Sequence, residues 1–167
     1  MIKQAPLQFS EPALDGSGLK IGMIVARYNS HVTAAMLKLA QDELLRLQVA
    51  TDDISIISVP GSYELPAAAQ AMLHDRNYDA IICFGCVMKG ETRHDVLVGD
   101  AAAQGLQRVS LDTGTPIIFG VICAENQRQA TERIERGREC AQAAIEMAHT
   151  VQSLKKLSIE NATNSIR

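Results

Sequence analysis

Asp79-Ala80-Ile81-Ile82-Cys83-Phe84-Gly85 (residues 79–85) has the length and β-branched content of a strand covered on both faces. Directly after it comes Gly85-Cys86-Val87-Met88-Lys89-Gly90-Glu91-Thr92-Arg93-His94, and from Asp95 to Leu111 the apolar residues recur at helical spacing. A strand, a loop and a helix in that order make a βα unit. The loop then lies at the carboxyl end of the strand, the edge of an open α/β sheet where ligands bind. Thr92 with Asp95 three residues later reads as a capping pair, which starts the helix at Arg93 and carries His94 in its first turn.

Unpaired backbone N–H groups and the positive end of the helix dipole disfavour a charged imidazolium at that position. A neutral imidazole can accept a proton and hand it back, while Gly90, the Thr92 hydroxyl and the free helix N–H groups offer a seat for an anion. Lys89 and Arg93 add positive charge. The same residues also allow a plainer reading, in which Thr92 only caps and His94 only faces solvent.

Outward from this unit the pattern repeats. Lys20–Ala26 reads as a buried strand that ends at Arg27-Tyr28-Asn29-Ser30 before a helix over His31–Leu47. Tyr28 thus also sits at a carboxyl strand end, where its ring either stacks on a flat ligand or closes the top of the core. Ile54–Val59 is the next strand, stopped by Pro60-Gly61, and a helix begins near Leu65 with Pro66 in its first turn. Between them Ser62-Tyr63-Glu64 forms a short turn, in which Glu64 either accepts hydrogen bonds from ligand hydroxyls or favours the helix dipole. Pro116–Ile122 is the fourth strand, with Phe119 inside it and so expected in the core. Ala124-Glu125-Asn126 opens a helical segment, Glu132, Arg133, Glu135, Arg136 and Arg138 form a charged run, and a last helix spans about Gly137–Leu154. Strands alternating with helices predict a three-layer α/β/α sandwich on a flavodoxin-like four-stranded parallel sheet, with the first strand interior. One domain is expected over 19–154, between an extended, Pro- and Gly-punctuated arm at 1–18 and a polar tail at 155–167.

Composition narrows the classes. The chain has 47% hydrophobic and 21% charged residues, which is globular, and no apolar run long enough to span a bilayer. Met1-Ile2-Lys3-Gln4 is not an apolar signal segment, so a cytoplasmic protein without membrane contact is expected. A net charge of −3 argues against nucleic acid as a partner. Cysteines stand at 83, 86, 123 and 140, and only the first two have a metal-like spacing. A structural zinc site needs four ligands, and neither a second pair nor a His cluster is present, so no metal is expected and the thiols are taken as packed.

Arg27-Tyr28-Asn29, Pro60-Gly61-Ser62-Tyr63-Glu64-Leu65-Pro66, Gly85 to His94 and Pro116-Ile117-Ile118-Phe119-Gly120, each at a strand in the same order, together resemble the lumazine synthases over roughly residues 18–150. Members of that family condense 5-amino-6-(ribitylamino)uracil with 3,4-dihydroxy-2-butanone 4-phosphate to 6,7-dimethyl-8-ribityllumazine, in the penultimate step of riboflavin biosynthesis. The resemblance implies a cofactor-independent enzyme with His94 as the proton-transfer residue. Glu91 and Thr92 would hold the butanone phosphate by loop and helix N–H groups, with Arg133 closing over it from a neighbouring subunit. Tyr28 would stack on the pyrimidine, and Ser62, Tyr63, Glu64, Cys86, Val87 and Met88 would bind the pyrimidine and ribityl chain. Phe119 would line the pocket from across the interface. A homopentamer, or an assembly of pentamers, follows from sites shared between subunits, and riboflavin synthase is a candidate partner.

Departures from the family pattern are Tyr28 where Phe is usual, Cys86 where Thr is usual, and a shortened connection at Ile134-Glu135-Arg136-Gly137-Arg138. Many members of the family carry a longer Gly- and Lys-rich segment there. Arg136 or Arg138 is a candidate to stand in for a lysine of that segment at the phosphate. The rival readings are a non-catalytic flavodoxin-like module, or a shell, binding a flavin or phosphorylated ligand. A receiver-type signalling domain would need an acceptor Asp at the end of the central strand, and Cys83-Phe84-Gly85 offers none.

Overall fold

The computed structural model describes the backbone of residues 14–164 and the side chains of 14–159. Its centre is a pair of strands that are apolar without alternation, β1 (Ile21–Ala26) and β3 (Ala80–Met88). Every residue of β3 before Met88 is buried, because successive side chains enter opposite layers and both layers are apolar. Ala80, Ile82, Phe84 and Cys86 join one core with α1 (Ser30–Arg46) and α5 (Arg136–Asn164). Ile81, Cys83 and Val87 join the other with α2 (Leu65–Asp75) and α3 (His94–Thr113). With β2 (Ile54–Val59) and β4 (Ile117–Ala124) the four strands are all parallel in the order β2-β1-β3-β4, the flavodoxin-like α/β/α sandwich, and β1 is interior.

Several boundaries move, each for a tertiary reason. The strand expected to end at Gly85 runs on to Met88, because Cys86, Val87 and Met88 pair with Ile122, Cys123 and Ala124 of β4. Those three residues therefore belong to the strand, and the loop before α3 is only residues 89–93. Helix α3 starts at His94, one residue later than expected, and its N-cap position Arg93 makes no side-chain cap bond. Phe119 lies on an edge strand and is 36% exposed, so the core role expected for it does not hold. Cys123 is likewise exposed, whereas Cys83, Cys86 and Cys140 are packed. Cys83 and Cys86 enter opposite cores, as their spacing along a strand demands.

Helix α5 passes the expected end near Leu154 and continues to Asn164, so residues 155–164 extend a helix where a polar tail was expected. Of the expected arm, residues 1–13 lie outside the described residues. Residues 14–18 turn back onto the domain, with the Gly16 N–H donating to Leu47 O at 2.7 Å and Leu14 packed against the core.

The shortened connection is a run of overlapping turns from α4 (Gln127–Thr131) into α5, with N–H bonds from residues 133, 134, 136, 137 and 138 each reaching back three residues. Gly137 comes so close to α1 that a Cβ there would collide with Met36 O. Next to it Glu43, on α1 and only 1% exposed, accepts from Arg46 Nε and Nη2 at 2.8 and 2.7 Å, Arg138 Nη1 at 3.2 Å and Gln142 Nε2 at 2.7 Å. Arg138 is thereby tied to the α1–α5 seam rather than held ready for a ligand.

Candidate active site

The site follows from the strand order. The chain leaves β1 into α1 on one layer and leaves β3 into α3 on the other, so the carboxyl ends of these neighbouring strands part and open a crevice. Pairing between β1 and β3 stops at Val25↔Phe84, whereas β3 stays paired with β4 to Met88↔Ala124. A cleft of about 730 Å³ opens there, lined by Tyr28, Asn29, Gly61, Ser62, Tyr63, Glu64, Cys86, Val87, Met88, His94, Asp95, Leu97, Val98 and Ala101. The ends of β1, β2 and β3 and the start of α3 thus face one space.

Tyr28 is 68% exposed, so it does not close the core, and its ring is available to a flat ligand. Its backbone N–H donates to Pro60 O at 3.0 Å, which draws the end of β1 to the end of β2. The ring lies against Gly61, where a Cβ would sit 2.6 Å from Tyr28 Cδ2, so any side chain there would push the ring out of place. Residues Ser62–Glu64 form a 3₁₀ turn. Ser62 is buried beside Gly85, and Tyr63 is 63% exposed. The Glu64 carboxylate accepts the Gly61 N–H at 2.9 Å, which shapes the turn and leaves its other oxygen without a protein partner among the described residues.

Burial pushes the Cys86 thiol above its ordinary range, and Cys123 nearby adds to this, so Cys86 is a protonated packing group rather than a nucleophile. Its carbonyl accepts from Asn29 Nδ2 at 2.8 Å, so Cys86 shapes the wall of the cleft rather than offering it a free polar group. The Lys89 N–H reaches Ala124 O at 2.8 Å and the Ile81 N–H reaches Pro116 O at 2.9 Å, so the odd-numbered residues of β3 turn their peptide groups toward β4. Even-numbered residues turn theirs toward β1, and Met88 lies beyond the last β1 partner. Its peptide edge faces the opening.

His94 is exposed at the first position of α3 and lines the cleft. Its N–H donates to Thr92 Oγ1 at 3.3 Å, a local turn bond two residues on; the expected capping pair of Thr92 with Asp95 does not form, and the N-cap is Arg93 without a side-chain cap bond. Glu91 and Thr92 stand exposed beside His94, at the helix end that favours an anion. Lys89 is paired with Glu125 at 3.2 Å. Phe119 and Arg133 do not line this cleft. Arg133 is exposed with Nη1 donating to Gln129 O at 2.8 Å.

Sequence reasoning left out Asn29, Gly61, Asp95, Leu97, Val98 and Ala101 as lining residues. The α3 group was detectable: Leu97, Val98 and Ala101 follow His94 at three, four and seven residues, one face of a helix. Asn29 carried a weaker signal, an Asn at the junction of strand and helix.

The family model of 6,7-dimethyl-8-ribityllumazine synthase matches residues 18–152. Proteins of that name from Paracidovorax citrulli and Cupriavidus necator are 43% and 41% identical to the chain over 142 and 145 residues. The matches cover 84% and 86% of this chain, and 92% and 87% of the relatives. The protein of that name from Paraburkholderia phytofirmans is 39% identical over 148 residues, 88% of each chain. With this match running from β1 into α5 and the cleft at the β1/β3 divide, the chain belongs to the 6,7-dimethyl-8-ribityllumazine synthase family.

Proposed function

We propose that this chain condenses 5-amino-6-(ribitylamino)uracil with 3,4-dihydroxy-2-butanone 4-phosphate, releasing phosphate and water and forming 6,7-dimethyl-8-ribityllumazine for riboflavin biosynthesis. The observation that carries the mechanism is the meeting of Tyr28, Ser62–Glu64, Cys86–Met88 and His94 around one cleft. In this reading Tyr28 stacks on the pyrimidine. The turn at 62–64 and the peptide edge of β3 bind the pyrimidine and ribityl chain, with the unengaged Glu64 oxygen accepting from a hydroxyl. Backbone N–H groups of Glu91 and Thr92, with those opening α3, hold the phosphate.

The chemistry is imine formation between an amine and a ketone, loss of phosphate, and ring closure with loss of water. Each step moves protons, and His94 is the cleft residue suited to carry them. Holding two reactants in register is worth roughly 7–11 kcal/mol, against about 10²–10⁴ in rate for a proton-transfer residue, so orientation supplies the larger part.

Arg133 and Phe119 stand outside their own chain's cleft, and both are exposed. This supports a site completed by a neighbouring copy, with Phe119 lining it and Arg133 over the phosphate, in a homopentamer or an assembly of pentamers. Exposed apolar residues at both sheet edges and on α3, among them Ile56, Ile57, Leu97 and Leu111, support the same reading. A cytoplasmic setting and riboflavin synthase as a partner complete it. No helix among the described residues is long and apolar enough to cross a membrane.

Mixing the purified protein with the two substrates tests the proposal. Lumazine fluorescence should rise as phosphate is released in equal amount. A protein that binds both compounds and releases no phosphate would be the non-catalytic module or shell instead.

A further inference from the structure

We infer that Asn29 is a positioning residue, whose side-chain amide sets the gap across which the flat heterocycle is held. This rests on the function proposed above. Asn29 occupies the N-cap position of α1, where an Asn side chain ordinarily accepts a bond from the helix's free N–H groups. It makes no such bond. Its backbone is left-handed, with φ of 58°, and its Nδ2 donates instead to Cys86 O at 2.8 Å, across to β3.

That contact falls where the β1–β3 ladder has ended, two residues beyond Phe84, so a side chain takes the place of the next backbone pair. Two consequences follow. The Cys86 carbonyl, which turns toward β1, is engaged by Asn29, and the peptide edge of Met88 is the part of β3 left facing the cleft. The distance from Tyr28, the residue before Asn29, to that edge is also fixed by the same bond. A helix-capping preference is set aside in favour of a bond that braces the cleft, which is the kind of local departure found at functional sites.

Asn29→Gly keeps the left-handed backbone accessible and deletes the amide. The KM for the pyrimidine substrate should rise about tenfold, with the KM for the butanone phosphate changed less than twofold. Asn29→Asp tolerates the same backbone but sets a carboxylate against a carbonyl, and should raise the pyrimidine KM further. The Asp variant carries the test if the Gly variant does not fold. Equal changes in both KM values, or a pyrimidine KM within twofold of wild type in a folded variant, would overturn the role. A wild-type protein that forms no lumazine overturns the function and this inference together, whereas an active wild type beside a kinetically unchanged variant overturns the inference alone.

Discussion

His94 opens a helix, faces solvent and lines the cleft, which leaves its ring able to reach a bound reactant and exchange protons with water. Replacing it with Ala should lower kcat by roughly 10²-fold or more while leaving product formation measurable, because orientation of the two substrates survives the change. Stopped-flow fluorescence on the folded variant checks this, and complete loss of turnover would show that proton transfer outweighs orientation. Gly61 makes a separate prediction. A methyl group there would meet the Tyr28 ring, so Gly61→Ala should tilt the ring and raise the pyrimidine KM several-fold. An unchanged KM would mean that Tyr28 does not stack.

The seam between α1 and α5 is held by a buried carboxylate rather than by packing alone. The two-point hydrogen bond from Arg46 first, then bonds from Gln142 and Arg138, outweigh the cost of burial and hold Glu43 at about 2, well below the usual carboxylate range. The unfolded chain therefore binds a proton near pH 4.5 that the folded protein refuses until about pH 2. Stability from this group is full above the unfolded value and drains away as pH falls between them. Glu43→Gln should cost roughly 1–3 kcal/mol at pH 7, allowing for the exposure of Arg46 and Arg138, and the difference from wild type should shrink below about pH 4. Urea unfolding at pH 7 and pH 3 measures both, and a difference independent of pH would remove the charge from the explanation. Gly137→Ala forces α5 away from Met36 on α1 and should cost about 1–3 kcal/mol by the same assay.

A catalytic unit larger than one chain is the prediction at the scale of the whole molecule. If Arg133 serves a neighbour's cleft, mixed oligomers of two impaired proteins, His94→Ala and Arg133→Ala, contain some sites with both residues intact. Refolding the two together should restore activity above the sum of the separate proteins, and no gain would place both residues in one chain's site. The apolar runs at 21–26, 80–84 and 117–122 pointed to a parallel sheet with β1 inside, because a strand without polar alternation is expected to be covered on both faces, although β4 with the same pattern is an edge strand that leaves Phe119 and Cys123 exposed. Spacing likewise put Tyr28, Ser62–Glu64 and His94 at carboxyl strand ends. Only the tertiary structure decided that β3 reaches Met88, that Arg138 belongs to Glu43, and that Asn29 spans to Cys86. Local pattern reports how a segment folds; which residues meet across strands and helices depends on register, layer and the point where a ladder stops, and these are settled only when distant segments pair.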